Sequence, residues 1–238
     1  MTRLSHYAAQ SLQRQILDGH YRVGDMLPSQ RELASTLGIS RASLREAVST
    51  LEALGLVRSQ PGKGVFVTAG RNVEPTALPT GPGDQHPAEM FQFRAVVEPA
   101  AAALAASRIG TDGLAQLETI QRRMYGALEK LDLVDASDAD LAFHLAIARL
   151  SGNAPLAGVI QQYEQAIAHS LRLPFAETTL IWDPLDEHEA VLAAIRRHDT
   201  HAAYQAMLRH LQCAAARIGL TLSPLDLPNP PLLQGVPA

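Results

Sequence analysis

Residues 28–55, PSQRELASTLGISRASLREAVSTLEALG, decide the N-terminal fold. Ser29, followed three residues on by Glu32, forms a capping box and opens a short helix through Leu37. Gly38 ends that helix and Ser40 caps the next, where Leu44, Ala47, Val48, Leu51 and Leu54 make one apolar stripe. Arg41, Ser43, Arg45 and Ser49 lie away from the centre of that stripe. Two helices joined by a short turn containing Gly, the second with a basic first turn, are a helix-turn-helix pattern. Upstream, Leu4, Ala8, Leu12 and Ile16 at helical spacing predict a further helix over 4–18. Downstream, LVRSQPGKGVFVTA (56–69) predicts strands near 56–60 and 65–68 around a Pro61-Gly62-Lys63-Gly64 tip. That hairpin would be a wing.

The geometry points to a DNA reader. A helix whose first turn carries Arg41 and Arg45 can enter the major groove, where arginine donates to guanine O6 and N7 in a bidentate fork. The helix N-terminus with the small hydroxyls of Ser40 and Ser43 suits phosphate contacts. A glycine-rich wing tip carrying Lys63 can approach the backbone or the minor groove. The same pattern also occurs in domains that bind only protein, with such arginines as solvated surface.

Charge divides the chain in the same place. Residues 1–70 hold eight Lys/Arg against five Asp/Glu, whereas residues 71–238 hold twelve against nineteen. A small basic part joined to a larger acidic one fits a polyanion reader attached to a second module. Between them, the Pro- and Gly-rich stretch at 71–88 reads as a linker, and 220–238 as a Pro-rich tail. With charged residues at only 18% and hydrophobic ones at 47%, the chain can build a core, which excludes disorder throughout. No apolar run reaches the ~20 residues of a membrane span. A single cysteine, Cys213, excludes a disulfide framework or a multi-cysteine zinc site. The expectation is a cytoplasmic protein with no membrane partner.

Residues 89–219 show helical periods and no strand-like alternation. Helices are predicted near 89–107, 112–131, 135–151, 155–173, 184–198 and 200–218, as an antiparallel all-α bundle. The fold class is therefore mainly α: a winged helix-turn-helix (1–70) with a small β-hairpin, then a helical domain (89–219).

Within the bundle, Asp140 and His144 sit at i, i+4 and share one helix face. His188 and His210 lie on two later helices. One carboxylate and three imidazoles converging in a bundle make a divalent transition-metal site, with Zn²⁺ favoured and Ni²⁺ or Mn²⁺ as alternatives. Against this, nine histidines scattered over 238 residues will place some near others by chance. His198 and His201 straddle a helix break and read as surface, His169 has no partner at ligand spacing, and Asp138 is off the His144 face. Arg94 and Glu98, also i, i+4, read first as an ion pair; an arginine aimed into a cavity beside a metal would also clamp a carboxylate. Asn153, in a Gly-Asn break, reads first as a cap or turn. Glu187 and Glu189 flank His188 on other helix faces, which leaves no general base for a hydrolase.

The run 19–67 closely resembles the winged helix of the GntR superfamily of bacterial transcriptional regulators, covering its LPSxRELAxxLGxSRxxxREAxxxLxxxGL signature. The strings FRAVVEPAAAALAA (93–106), DLAFHLAIARLSGN (140–153) and EHEAVLAAIRRHDTHAAYQAMLRHL (187–211) resemble the FadR-type branch with an FCD ligand-binding domain. The resemblance implies DNA contacts by Arg31, Arg41 and Arg45, helped by Ser43 and Gly62, while departures near Ser43 and at Pro61 leave base preference open. It implies metal ligation by Asp140, His144, His188 and His210, and effector contact by Arg94. Asn153 is carried as a further ligand contact. The expected protein is a non-enzymatic, ligand-responsive regulator, a repressor in the commoner mode of the family. It would bind double-stranded operator DNA as a homodimer and sense a small organic acid, a carboxylate, at the metal. The alternatives are a purely structural metal and a metal-dependent hydrolase.

Overall fold

The computed structural model describes residues 3–68 and 87–222. Most of the expected linker and of the Pro-rich tail therefore lies outside the described residues. Helices α1 (Arg3–Leu17), α2 (Gln30–Leu37) and α3 (Arg41–Ala53) precede strands β1 (Val57–Gln60) and β2 (Gly64–Val67). The capping box forms as its residue types require: Glu32 N donates to Ser29 Oγ and Ser29 N to Glu32 Oε2. Gly38 closes α2 at φ 63°, a left-handed geometry that costs glycine little. Ser40 Oγ then accepts from Ser43 N at 3.0 Å to start α3. The strands pair antiparallel with Val57 opposite Val67 and Gln60 opposite Gly64. Residues 24–27 lie along the outer edge of β2, where Leu27 N donates to Val65 O. Gly62 turns the tip at φ 72°.

The second part holds α4 (Pro87–Arg108), α5 (Thr111–Glu129), α6 (Leu133–Leu150), α7 (Ala154–Gln162), α8 (Glu164–Arg172), α9 (Asp183–Arg196) and α10 (Thr200–Arg217). Asp132, Asn153 and Asp199 cap the starts of α6, α7 and α10 with their side chains. One expectation needs correction. The single helix predicted over 155–173 is two, α7 and α8, broken at Tyr163. No Pro or Gly marks the break; the Tyr163 ring packs on Phe93 of α4, 4.9 Å between centroids. After α8, Leu173–Ala176 tighten to a 3₁₀ turn at Pro174, which cannot donate a helical hydrogen bond.

The bundle centres on α4 and α10. Ala101, Ala102, Ala105 and Ala106 are buried on α4, and such small side chains let helix axes approach closely. Met207 and Leu211 of α10, Phe143 and Ile147 of α6, and Val191 and Ile195 of α9 complete this cluster. A second cluster is shared between the two parts. It joins Ala8 and Leu12 of α1, Leu44 and Leu51 of α3, and Val65 and Val67 of β2 to Leu128 of α5 and Val134 of α6. Truncating one of these leucines to alanine costs ~2–5 kcal/mol. Among the described residues, no helix is long and apolar enough to cross a membrane.

Candidate metal centre and nucleic-acid interface

Three helices deliver four side chains to one point in the bundle. Asp140 and His144 come from consecutive turns of α6, His188 from α9 and His210 from α10. One ligand atom from each lies within 4.8 Å of all the others, and all four residues are buried. Asp140 Oδ1 stands 3.2 Å from His144 Nε2 and 3.3 Å from His188 Nε2. His144 Nε2 and His210 Nε2 face each other at 3.2 Å. The His188 ring is fixed by stacking on Phe143, with centroids 4.1 Å apart.

Behind the cluster, two of the imidazoles are backed by glutamates. His144 Nδ1 lies 2.6 Å from Glu98 Oε2, and His210 Nδ1 lies 2.8 Å from Glu187 Oε2. Each glutamate is in turn matched by an arginine. Arg94 Nε donates to Glu98 Oε1 at 2.8 Å, and Arg217 pairs with Glu187. Arg94 is fully buried; it also donates to Ser170 Oγ, and its NH2 group stands 3.5 Å from His144 Nε2. It therefore sits within reach of anything bound at the imidazole nitrogens.

The electrostatics follow. Burial pushes the Glu98 carboxyl upward, but Arg94 and His144 outweigh it and hold it down at about 2. Burial likewise opposes ionisation of Asp140, yet His144 and His188 hold its carboxyl below the usual carboxylate range. Burial lowers His188, and lowers His210 further with help from the neighbouring imidazoles. His144 goes the other way: burial is overcome by Glu98 and Asp140, and its basicity is raised. Burial lifts Glu187 to about 7 against the pull of Arg217.

A metal ion fits these residues. Three imidazole nitrogens and one carboxylate oxygen are a transition-metal donor set. Asp140 Oδ1 and His188 Nε2 face each other at 3.3 Å without hydrogen-bonding geometry, and buried polar atoms left so are costly unless something else satisfies them. Two facing Nε2 atoms cannot both donate to each other, whereas both can donate lone pairs to one cation.

The residues expected to read DNA lie on the other part. Arg31 on α2, Arg41 and Arg45 one turn apart on α3, and Lys63 at the wing tip beside Gly62 are all exposed. Ser40 and Ser43 hydroxyls lie 3.0 Å apart at the start of α3. Glu52 holds the hairpin to α3 by accepting from Ser59 N at 2.7 Å, which fixes the wing relative to that helix. A Cβ on Gly64 would stand 3.0 Å from Met26 Sδ, so the chain leaves the tip over glycine.

Comparison with known proteins matches both parts. The FCD domain family covers residues 89–212, and the family described as bacterial regulatory proteins, gntR family, covers residues 4–67. The chain belongs to the GntR family, with an FCD domain. It is 29% identical over 219 residues to the Exu regulon transcriptional regulator of Escherichia coli, covering 88% of this chain and 82% of that one. It is 30% identical over 231 residues to the Uxu operon regulator of Haemophilus influenzae, covering 92% and 83%. Among solved structures, Streptococcus agalactiae GntR aligns with a TM-score of 0.50 and 28% identity, over 90% of this chain and 99% of that one. These relatives are regulators of transcription, not enzymes.

In this GntR regulator the expected metal ligands and Arg94 come together, and Asn153 does not join them. Asn153 is exposed and its Oδ1 accepts from Leu156 N at 3.1 Å, the capping role that a Gly-Asn break predicts. Asp138 stays outside the cluster, as its helix position requires, and binds His6 and Arg172 instead. His198 bonds Ala106 O and His201 is exposed. Sequence reasoning missed Glu187, Ser170 and the tie from Glu98 to His144. Glu187 does project away from His188, but the neighbouring face of α9 meets His210 of α10. The Glu-His dipeptide was the available signal.

Proposed function

We propose that this GntR/FCD regulator binds operator DNA through its winged helix as a homodimer and senses a small organic acid at a divalent metal held by Asp140, His144, His188 and His210. The observation that carries the reading is the convergence of three imidazoles and one carboxylate within 4.8 Å. Zn²⁺ suits the donor set best, with Ni²⁺ and Mn²⁺ as alternatives. When bound, the ion supplies Lewis acidity and open coordination positions for an anionic oxygen.

Charge supports an anionic effector. The glutamates behind His144 and His210 are each matched by an arginine, Arg94 and Arg217. Asp140 therefore supplies the uncompensated negative charge, and a divalent ion leaves the site positive. A carboxylate or hydroxy-acid oxygen is the complementary ligand, with Arg94 placed to receive a second oxygen. Hydroxy-acids, keto-acids, sugar acids and dicarboxylates share this chemistry.

One winged helix reads too few base pairs for genomic specificity, so a homodimer on a pseudo-palindrome is the natural unit. Repression relieved by effector and a cytoplasmic location complete the reading.

A second reading, a purely structural metal, is favoured by one observation: exposure of Asp140, His144, His188 and His210 is at most 2%. Closed sites of this kind stiffen folds. Thermal shift of zinc-loaded protein against a panel of organic acids separates the two. Sensing requires at least one acid to stabilise the zinc-loaded form and not the stripped form. A purely structural ion gives stabilisation by zinc and by no acid.

A further inference from the structure

Helix α1 packs against both α3 and the bundle helix α6, and α3 also meets α8 directly. Ala8, Ala9 and Leu12 share the apolar cluster of α3. Beside them runs a polar strip at helical spacing: His6, Gln10 and Gln13. Gln10 Nε2 and Gln13 Nε2 donate to the two oxygens of Asp132 at 2.8 and 3.1 Å. Gln13 Oε1 accepts from Val134 N at 3.2 Å, and His6 Nδ1 stands 2.9 Å from Asp138 Oδ2. Gln13 is only 3% exposed. Its amide, desolvated at this depth, is tolerated because it is hydrogen-bonded at both ends.

What α1 grips is the start of the metal-bearing helix. Asp132 is the N-cap of α6, and its side chain also accepts from Asp135 N. From there to Asp140 is about 12 Å of continuous helix. Asp138 is held on a second side by Arg172 of α8, 3.2 Å away, and α8 also carries Ser170, the partner of Arg94. The start of α6 directly, and α8 through Asp138, are thus tied to α1 at one place. With both Asp132 oxygens committed, a shift of α6 along its axis has no slack to absorb it before α1. Beyond α1 the contact to α3 is apolar and close-packed, which passes a displacement on instead of damping it.

We infer that the interlock of His6, Gln10 and Gln13 with the start of α6 carries the state of the metal centre to α3, the proposed recognition helix. The inference rests on the proposed metal site and adds the route by which that site reaches DNA. In thermodynamic terms the interlock supplies a coupling free energy, so it is detectable as a metal-dependent change in α1 and α3 that weakens when the interlock is cut.

Hydrogen–deuterium exchange on the full chain, stripped and then reloaded with Zn²⁺, tests it without an identified effector or operator. In the wild type, zinc should slow amide exchange in α6, α9 and α10, and by roughly fivefold in α1 and α3. In the His6→Ala, Gln10→Ala double variant, zinc should still slow α6, α9 and α10 to the wild-type extent but slow α1 and α3 measurably less, since only the Gln13 contacts to the start of α6 remain. Neither substituted residue belongs to the metal cluster or to the DNA-facing set. Equal slowing of α1 and α3 in variant and wild type overturns the inference. So does a wild type in which zinc acts on α6, α9 and α10 alone, a result that needs no variant to fold. If zinc slows none of these helices in the wild type and does not bind, the metal reading itself fails, and the inference falls with it.

Discussion

Glu98 Oε2 stands 2.6 Å from His144 Nδ1 while the other oxygen of Glu98 accepts from Arg94 Nε at 2.8 Å. One buried carboxylate thus orients both a proposed metal ligand and the proposed effector clamp. With Nδ1 engaged by Glu98, the Nε2 lone pair of His144 is directed at the cluster.

Glu98→Gln should weaken zinc binding by about 10–100-fold, because an amide is a poorer partner for the Nδ1 proton. It should also lower stability, by about 3–5 kcal/mol, since Arg94 is left buried without its counter-charge. Glu187→Gln should weaken zinc over the same range with a smaller stability loss, its side chain being 20% exposed. Competition against a chromogenic chelator measures the first effect and chemical denaturation the second.

Arg94→Ala separates clamp from ligand. Metal content should stay near the wild-type level, since none of the four ligand atoms belongs to Arg94. Any organic acid that shifts the melting temperature of zinc-loaded wild type should lose most of that shift, as a charge-assisted bidentate contact is removed. Retention of the full shift would place the acid elsewhere.

Proton release should accompany zinc uptake, with a defined sign. The basicity of His144 is raised by Glu98 and Asp140, so the folded, metal-free protein holds a proton there at pH values where an ordinary imidazole has lost it. That proton stabilises the metal-free fold below the ordinary imidazole value and is lost as pH rises through the raised one. Burial keeps His188 and His210 unprotonated through this range. Zinc added to weakly buffered protein near pH 6.5 should therefore displace about one proton, and progressively less as the pH is raised. A pH indicator dye reads the release. A yield that does not change with pH would remove His144 as its source.

At the winged helix, Arg41→Ala and Arg45→Ala should each weaken operator binding by ~1–3 kcal/mol and relax base preference. Lys63→Ala should weaken binding evenly across sequences and flatten its salt dependence. Fluorescence anisotropy over a salt series, on an operator selected from random duplexes, distinguishes these patterns. Wild-type affinity and specificity in Arg45→Ala would mean that α3 does not read the major groove as proposed.

The N-terminal elements were legible because their signals are local. Ser29–Glu32, Gly38 and Ser40 each act within four residues, and each forms as read. The proposed metal ligands were half legible. Asp140 and His144 declare themselves by i, i+4 spacing, whereas His188 and His210 are joined to them only by helix packing, and the family resemblance supplied that link. The contact of Glu187 was missed for the same reason: its helix face is as read, but the neighbour it meets, His210, is 23 residues away. The break at Tyr163 has no helix-breaking residue, and only the contact with Phe93 accompanies it. The grip of α1 on α6 was equally hidden, since Gln10 and Gln13 look like ordinary polar-face residues until Asp132 is brought beside them.

Metal content by elemental analysis, run beside organic-acid titration of the same samples, tests the central proposal most directly. Purified wild type should carry about one zinc or comparable divalent ion per chain, and the His144→Ala, His210→Ala double variant should carry almost none. That variant should also lose every acid-induced thermal shift while its winged helix still binds DNA. Full occupancy in the double variant, or acid-induced shifts that survive without metal, would contradict it.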